Sequence, residues 1–443
     1  MRSVFGVDVS SQVFKALIAD LPEIEVVGDE VLRGALGAFS AQTGKIYLSQ
    51  GLVSGDTNKL EAVLIEEIGH YLDSQFNAVD TPGDEGEYFA KVVLNQPLSE
   101  AEITRLKTED DQAVVVIDGQ SVQIEQAVTL VGKWNRLSRA YGVTVVGNYA
   151  YAVGDTLEII DISNLSNPVF KGNYDISNGQ DVQVVGNYAY VADGNSGLQI
   201  IDISNPAAPT LKGNYDTSGY ANGVQVVGNY AYVADSDSGL QIIDISNPAA
   251  PTLKANYNTS GIAGGVQIVG NYAYVADWDS GLQIIDISNP AAPSRKGNYD
   301  TSGFAYGVQV VGNYAYVADG YKGLQIIDIS NPAAPTLKGN YDTSGWAYGV
   351  QVVGNYAYVA DDDSGLQIID ISNPAAPSRK GNYDTSGYAY GVQVVGNYAY
   401  VADGGSGLQI IDISNPAAPT LKGNYDTSGW AYGVQVVGNY AYV

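Results

Sequence analysis

The chain has 443 residues, a net charge of −27 and an isoelectric point near 4.1, so it is long enough for two or more domains with cores of their own. The charge disfavours binding to nucleic acid phosphates and to anionic membranes, because the long-range field of the protein repels both. Cysteine is absent, which excludes disulfides and thiolate metal sites, and no apolar run is long enough for a transmembrane helix.

The N-terminal residues lack the apolar core and the small-residue cleavage site of a signal peptide, so export would need another signal. Residues 1–126 contain no repeat and predict a small α+β domain. The stretch LGAFSAQTGKIYLS at 36–49 predicts a hairpin that turns at Gln42-Thr43-Gly44. VVVIDGQSVQI at 114–124 predicts a second hairpin with an Asp-Gly turn. An amphipathic helix is predicted over 58–75 from apolar residues at helical spacing, namely Leu60, Leu64, Ile68, Tyr71 and Leu72.

Within this helix, the stretch EEIGH contains the only histidine of the chain, His70. Glu66 and His70 are four residues apart and therefore share one face of the helix, with Glu67 beside them. An edge strand, a helix with xExxH and a second acidic helix near residue 84 resemble the order of elements in zincin metallopeptidases. The segment also resembles a module found in large multidomain cyanobacterial proteins.

The zincin resemblance implies that Glu67 is the general base, that His70 is a metal ligand and that Glu85 or Glu87 is a further ligand. The chain departs from the family at Glu66, which stands where zincins have their first zinc-binding histidine. A carboxylate there suits Mn²⁺, Fe²⁺ or Ca²⁺ better than Zn²⁺. Three interpretations stay open: an active peptidase, an inactive zincin-like fold with or without a divalent metal, and an unrelated amphipathic helix.

From residue 127 onward the chain is a repeat array. The string GNYAY recurs with a spacing of 39 residues once and then 42 residues six times, beginning at positions 147, 186, 228, 270, 312, 354, 396 and 438. A period of this length is typical of solenoids and propellers. Each unit reads as four short strands, GVQVV, NYAYVAD, GLQIIDI and LKGNY, separated by turn sequences such as GN and SNPAAP. Four strands per 42 residues is the size of a propeller blade.

The motif GLQIIDISNPAAP, which recurs six times between Gly197 and the copy that starts at Gly407, resembles the LVIVD repeat of bacterial and archaeal cell-surface proteins. The resemblance covers residues 127–443 and implies a β-propeller. The array begins with a fourth strand at 129–134 and ends after a second strand, so we expect a fragment or an incomplete last blade. The count is then seven complete blades plus a split eighth; the alternative is a seven-bladed ring with a redundant hairpin.

Differences between the repeats cluster in the 4–1 connections and the 2–3 loops, which antiparallel topology places on one face. This face carries most of the variable aromatic residues, and exposed aromatic rings among polar groups suit sugars, peptides or flat ligands. The alternative is drift in exposed loops, with the aromatic rings packed between blades, which we favour slightly for Trp346 and Trp430. The predicted binding residues are Tyr220, Trp278, Phe304, Tyr306, Tyr321, Trp346, Tyr348, Tyr388, Tyr390, Trp430 and Tyr432.

Two sets of aspartates recur in the array. One set ends the second strands on the variable face; a ring of carboxylates can coordinate cations, but we favour a turn bond to the loop that follows. Its members are Asp193, Asp235, Asp277, Asp319, Asp361 and Asp403. The other set precedes ISNP and is expected to tether that turn; it comprises Asp202, Asp244, Asp286, Asp328, Asp370 and Asp412.

The repeats contain no histidine, no cysteine and no acid pair that breaks the pattern, so they offer no catalytic set. The sequence therefore predicts a non-catalytic binding protein whose propeller face binds a protein, peptide or carbohydrate. The family resemblance implies an extracellular or cell-surface location. The alternatives are a metallopeptidase that uses the propeller as a docking platform, and a structural spacer. We expect no nucleic acid partner and no insertion into a membrane.

Overall fold

The chain divides into two compact units in the computed structural model, Met1–Val131 with Thr420–Tyr425, and Gly132–Pro419 with Asp426–Val443. None of the described helices combines the length and the apolar character that crossing a bilayer would need. The structure describes residues 21–28, 31–32, 37–54, 57–76, 112–117, 120–125, 140–163, 168–427, 429–438 and 440–443.

The first unit contains a three-stranded sheet. Its central strand β3 (Lys45–Ser49) pairs in parallel with β1 (Glu23–Val27) and antiparallel with β2 (Gly37–Ser40). The predicted hairpin over 36–49 is confirmed, and its turn ends at Gly44 with φ +66°. The DG-centred hairpin is also confirmed, because the pairing of Ile117 with Gln120 leaves two residues for the turn. The elements are β1 (Glu23–Val27), β2 (Gly37–Ser40), β3 (Lys45–Ser49), α1 (Gln50–Val53), α2 (Thr57–Phe76), β4 (Gln112–Ile117) and β5 (Gln120–Glu125).

Helix α2 corresponds to the predicted amphipathic helix and packs its apolar stripe against the small sheet. Phe39 and Tyr71 meet edge to face, with ring centroids 5.9 Å apart. Leu72 is completely buried. The shared core consists of Phe39, Ile46, Leu48, Leu52 and Val63, with Leu60, Leu64, Ile68 and Tyr71 packed against it.

Residues 140–443 form a series of antiparallel sheets, each built from consecutive strands, and each sheet is called a blade. Blade 1 comprises β6 (Ala140–Val146), β7 (Tyr149–Gly154), β8 (Thr156–Asp161) and β9 (Val169–Asp175). Blade 2 comprises β10 (Asp181–Val185), β11 (Tyr188–Ala192), β12 (Leu198–Asp202) and β13 (Thr210–Tyr215). Blade 3 comprises β14 (Gly223–Val227), β15 (Tyr230–Ala234), β16 (Leu240–Asp244) and β17 (Thr252–Tyr257). Blade 4 comprises β18 (Gly265–Val269), β19 (Tyr272–Ala276), β20 (Leu282–Asp286) and β21 (Ser294–Tyr299).

The remaining blades follow the same pattern, except that the last has two strands among the described residues. Blade 5 comprises β22 (Gly307–Val311), β23 (Tyr314–Ala318), β24 (Leu324–Asp328) and β25 (Thr336–Tyr341). Blade 6 comprises β26 (Gly349–Val353), β27 (Tyr356–Ala360), β28 (Leu366–Asp370) and β29 (Ser378–Tyr383). Blade 7 comprises β30 (Ala389–Val395), β31 (Tyr398–Asp403), β32 (Leu408–Asp412) and β33 (Thr420–Tyr425). Blade 8 comprises β34 (Gln435–Val437) and β35 (Tyr440–Tyr442).

The core lies between neighbouring blades and has the same composition at each junction. At the junction of blades 2 and 3, for example, Leu198 and Ile200 from one blade pack against Val224 and Val233 from the next. These side chains come from the β-branched and leucine positions of the repeat, which alternate with outward-facing residues at the period of two expected for strands.

The first strands of the blades form a closed circuit. Each lies beside the first strand of the next blade, and β34 of blade 8 lies beside β6 of blade 1. The closure is fixed by the Gln435 side-chain oxygen, which accepts a hydrogen bond from the Val145 N–H at 2.6 Å. The hairpin of blade 8 therefore lies within the ring as its eighth member, as in the first of the two predicted counts, and is not a redundant addition to seven blades.

Candidate functional site

The EEIGH stretch lies in the second half of α2 and presents two buried ionisable side chains. Glu67 is 4% exposed and His70 is 3% exposed, whereas Glu66 is half-buried. Glu67 lies against the backbone of β2, since a Cβ on Gly37 would be 2.7 Å from Glu67 Oε1. Glu85 and Glu87 lie outside the described residues. Across the part of the chain that the structure describes, no three histidine, cysteine or acidic side chains are grouped to hold a metal.

The variable face of the propeller is held together by bridges between its two kinds of loop. In each of six blades the first residue of the 2–3 loop pairs with an alanine in the 4–1 connection that follows, as Gly320 pairs with Ala347. The alanine is buried in every such connection, with Ala347 at 0% exposure. This pairing confirms that both sets of loops lie on one face. Because side chains alternate between the two sides of an extended segment, the residues on either side of the buried alanine both point away from the core.

The residue after each buried alanine is the inner position, next to the first strand of a blade. Tyrosine occupies this position in five consecutive blades around the closed ring, and neighbouring rings touch. The ring centroids of Tyr306 and Tyr348 are 4.8 Å apart, and those of Tyr432 and Tyr141 are 5.4 Å apart across the closure. This tyrosine arc consists of Tyr306, Tyr348, Tyr390, Tyr432 and Tyr141.

The residue before each buried alanine is the outer position, and it carries the larger aromatic rings. Phe304 and Trp346 are stacked at 5.9 Å with an interplanar angle of 18°, and Tyr388 and Trp430 are stacked at 5.9 Å and 22°. Both tryptophans therefore pack on a ring from the neighbouring connection and remain exposed. The exposed fractions are 38% for Trp346, 51% for Trp430, 44% for Tyr388 and, in the 2–3 loop, 43% for Tyr321.

Contacts between the outer and inner positions unite most of the predicted binding residues. Trp278 reaches both Phe304, at 6.1 Å, and Tyr306, at 5.4 Å, while Tyr321 lies 6.1 Å from Trp346. Tyr220 stands apart from this cluster, and its hydroxyl accepts a hydrogen bond from the Asn178 amide at 2.6 Å. We call the connected set the aromatic crescent: Trp278, Phe304, Tyr306, Tyr321, Trp346, Tyr348, Tyr388, Tyr390, Trp430, Tyr432 and Tyr141.

The inner positions of blades 2 to 4 lack tyrosine, and a cavity of about 360 Å³ lies there. Gln180, Asn222 and Gly264 occupy these positions. The cavity is also lined by Asp181 and by the first residues of β14, β18 and β22. The mouth of the propeller channel is thus aromatic on one side and open and polar on the other.

A family model of the LVIVD repeat matches residues 139–176, 177–217, 218–259, 260–301, 302–343, 344–385 and 386–427. These matches cover more than half of the chain. The chain belongs to the LVIVD repeat family. No curated protein matches it in sequence.

Solved structures share the fold of the LVIVD propeller at low sequence identity. The computationally designed protein Ika8 is 10% identical with a TM-score of 0.59, and the match covers 70% of this chain and 95% of that chain. Sqt1 from Saccharomyces cerevisiae is 6% identical with a TM-score of 0.60 over 70% of this chain and 91% of that chain. BamB from Moraxella catarrhalis is 14% identical with a TM-score of 0.49, covering 67% and 87% respectively.

The aspartates that end the second strands of the LVIVD blades bind the connection that precedes them. The predicted bond to the loop that follows is made as well in two blades, from Ser196 to Asp193 and from Ser238 to Asp235. Asp235 accepts hydrogen bonds from the Thr217 hydroxyl at 2.5 Å and from the Gly219 N–H at 2.9 Å. Where the connection has another sequence, Asp193 accepts from the N–H groups of Ser177 and Asn178. The carboxylates are thus buried anchors that fix the 4–1 connections beneath the variable residues.

Burial dominates the electrostatics of these anchors. Because the surroundings desolvate the carboxylate, the pKa of Asp277 is raised to about 6 and the pKa values of Asp319 and Asp361 to about 7. The Oδ2 atom of Asp319 is buried and has no hydrogen-bond partner among the described residues. The half-buried loop residue Asp362, beside Asp363, also has its pKa raised to about 6, by desolvation and then by the neighbouring carboxylate.

Sequence reasoning missed a relay of glutamines between the first strands. In GVQVV the glutamine side-chain oxygen accepts the N–H of a residue in the next blade, as in Gln183 to Val226 at 2.6 Å. The available signal was a polar residue repeated inside an apolar strand. The other bonds are Gln225–Ile268, Gln267–Val310, Gln309–Val352, Gln351–Val394, Gln393–Val436 and Gln435–Val145.

Proposed function

We propose that this LVIVD propeller is a non-catalytic binding protein whose aromatic crescent binds a protein, a peptide or a carbohydrate. The observation that carries the proposal is the continuity of the crescent. Its rings touch one another over six consecutive blades, from blade 4 through blade 8 to blade 1, yet Trp346, Trp430, Tyr388 and Tyr321 keep 38 to 51% of their surface exposed. Exposing several large aromatic rings to water is unfavourable, and a ligand that covers them gains the free energy of removing that apolar surface from water.

The distribution of the aromatic rings also supports a binding surface over random sequence drift in exposed loops. Drift in exposed loops would scatter substitutions over all blades, whereas the aromatic residues of the crescent cluster in blades 4 to 8 and blade 1 and contact one another. The opposite face exposes apolar groups too, but these are aliphatic residues of the repeat, such as Val311 at 43% and Leu337 at 41%. Aromatic platforms of this kind suit stacking on sugar rings and packing on peptide side chains.

An extracellular or cell-surface location belongs to the same proposal. It rests on the resemblance of the repeats to those of cell-surface proteins and agrees with a chain that contains no cysteine to be oxidised and carries a net charge of −27. Such a charge keeps a protein soluble and discourages adhesion to anionic surfaces.

The test is a screen of the labelled full-length chain on glycan and peptide arrays, followed by titration of the best hit. The double variant Trp346→Ala, Trp430→Ala should weaken that hit at least tenfold, because each ring is an exposed anchor. The control is Leu253→Ala, Leu337→Ala, which removes two side chains of 42% and 41% exposure from the opposite face. A hit that the tryptophan variant leaves intact contradicts the assignment of the face. A wild-type chain with no hit on either array contradicts binding and favours a structural spacer.

The burial of Glu67 and His70 favours a second candidate function, a metal site in the first unit of zincin-like layout. Ionisable side chains are rarely buried unless they are paired or bind a metal. The described residues supply two such groups, so a metal centre would need further ligands from elsewhere, as predicted for Glu85 or Glu87. Elemental analysis of the dialysed full-length chain should then find one divalent metal that His70→Ala loses while the fold is kept. Metal-free wild-type protein would contradict this candidate.

A further inference from the structure

The cavity at the mouth of the channel exists because three inner positions carry no aromatic ring. Gln180, Asn222 and Gly264 stand where the other side of the ring has the tyrosine arc. A tyrosine there would occupy the space, as Tyr306 and Tyr348 do beside it. At about 360 Å³ the cavity lies within the range of small-molecule sites in proteins.

The side chains of this cavity are left with hydrogen-bond acceptors. The amide nitrogen of Asn222 donates to Ser236 Oγ and to the Ala263 carbonyl, both at 2.9 Å, which leaves its amide oxygen available. Gln180 likewise donates its amide nitrogen to the backbone and side-chain oxygens of Asn178. Since a carbonyl oxygen can only accept, the orientation of both amides is determined by these partners.

Asp181 adds a carboxylate that no other blade has. Glycine stands at the equivalent position of every other blade: Gly142, Gly223, Gly265, Gly307, Gly349, Gly391 and Gly433. Asp181 Oδ1 accepts the Val182 N–H at 2.8 Å and Oδ2 accepts the Val224 N–H at 3.0 Å. Each carboxylate oxygen has a second lone pair for a further donor. Burial raises the pKa of Asp181, an effect that a bound cation would oppose.

The indole nitrogen of Trp278 approaches one residue that lines the cavity, since a Cβ on Gly264 would be 3.3 Å from Trp278 Nε1. The polar side chains that line the cavity are a carboxylate and two amides whose oxygens can accept, an environment suited to a ligand that donates hydrogen bonds.

We propose that this cavity is a subsite for an ammonium or guanidinium group, held by the carboxylate of Asp181 and the amide oxygens of Gln180 and Asn222. The group belongs to an amine of amino-acid size or to a lysine or arginine side chain. This inference goes beyond the aromatic crescent, because it concerns the other side of the channel mouth and does not require the crescent to bind anything.

The test is calorimetric titration of the full-length chain at pH 7 and low ionic strength with putrescine, agmatine and uncharged 1,4-butanediol. Wild-type protein should bind at least one cation ten times more tightly than the diol. Asp181→Asn, which keeps one oxygen acceptor but removes the charge, should weaken cation binding at least tenfold, the usual scale for a charge-assisted hydrogen bond. Asp181→Gly introduces the glycine that the other blades have at this position, and it should also weaken cation binding at least tenfold. Gly264→Tyr should abolish binding by filling the cavity.

The double variant Leu253→Ala, Leu337→Ala is the control, since it changes exposed side chains on the opposite face and should leave cation binding unchanged. Cations held only by the overall charge of −27 would bind equally well after either change at Asp181, and that result would overturn the proposal. Equal affinity of wild-type protein for the diol and the cations would overturn it too. If the Asp181 variants lose cation binding but still bind the ligand found on the arrays, the cation subsite is independent of the aromatic crescent.

Discussion

The two faces of the propeller use aspartate in opposite ways. On the variable face, Asp319 and Asp361 are completely buried and their pKa values are raised to about 7. On the opposite face, Asp328 stays partly exposed, and its pKa is lowered because the hydroxyl and the N–H of Ser330 donate to it. The first arrangement holds loops in place at an electrostatic cost; the second holds a turn at little cost. The variable face is therefore the more strained of the two.

Backbone conformation shows the same contrast. On the opposite face the left-handed position of each GN turn is always glycine, as at Gly312 with φ +59°. On the variable face the left-handed region also contains Ser236, Ser260, Trp278, Ser302, Ser344 and Asp362. A side chain in this region costs about 1 kcal/mol or more, and such residues concentrate at functional sites.

The largest expected effect comes from an alanine substitution at glycines with similar φ on the two faces. In the 2–3 loop, a Cβ on Gly323, with φ +67°, would lie against the Tyr341 carbonyl and 2.5 Å from the Thr343 nitrogen. At Gly312 a Cβ would meet nothing within 4 Å. Gly323→Ala should lower the free energy of unfolding by about 3 kcal/mol or more, and Gly312→Ala by about 1 kcal/mol. Urea unfolding measures both; equal losses would mean that the two faces are equally constrained.

The next effect is a pH dependence with opposite signs for the two aspartate sets. An aspartate with a raised pKa in the folded state stabilises the fold below the unfolded pKa, near 3.8, and loses this contribution as the pH rises through about 7. An aspartate with a lowered pKa contributes above 3.8 and loses its contribution only in stronger acid. The melting temperature should therefore fall from pH 5 to pH 8. Asp319→Asn should flatten this slope and Asp328→Asn should not; parallel slopes in all three proteins would contradict the assignment.

Much of the fold could be predicted because each repeat carries its own turn signals. GN and SNPAAP separate apolar segments whose period of two defines strands, and identical copies must fold alike. Ring closure could not be settled in this way, because the terminal repeats lack a third strand in sequence. Closure depends on contacts such as Gln435 with Val145, which join residues 290 apart in the chain.

The candidate site was predictable as a surface but not as a set of contacts. Variation between copies identified the aromatic residues of the variable face. It did not show that Tyr141 completes the arc, because blade 1 is the most divergent copy. The aspartates were predicted to bond only to the loop that follows, because local turn chemistry does not reveal a partner 18 residues earlier, as in Thr217 with Asp235. The cavity beside Asp181 forms because three neighbouring blades lack the inner tyrosine, and the sequence of a single repeat does not show this.

A smaller effect concerns the left-handed residues of the variable face. Asp362 has φ +47° and lies beside Asp363, whereas the equivalent residue is glycine in three other blades, Gly194, Gly320 and Gly404. Asp362→Gly should raise the free energy of unfolding by about 1 kcal/mol through relief of backbone strain. The reverse change, Gly320→Asp, should lower it by a similar amount. If Asp362→Gly destabilises the protein, Asp362 makes stabilising contacts that outweigh the strain.

The smallest effect is expected from the ion pairs of the opposite face. Lys338 lies 3.8 Å from Asp328, and the two side chains are 37% and 24% exposed. Water screens this pair, and Ser330 already donates two hydrogen bonds to the same carboxylate. Lys338→Gln should therefore change the free energy of unfolding by less than about 1 kcal/mol, and by less still at high salt. Ser330→Ala should cost more, because it removes a hydrogen bond at 2.6 Å and lets the pKa of Asp328 rise. The opposite order of the two variants would mean that the face is held by its lysines, and that its stability, unlike that of the variable face, should fall steeply with ionic strength.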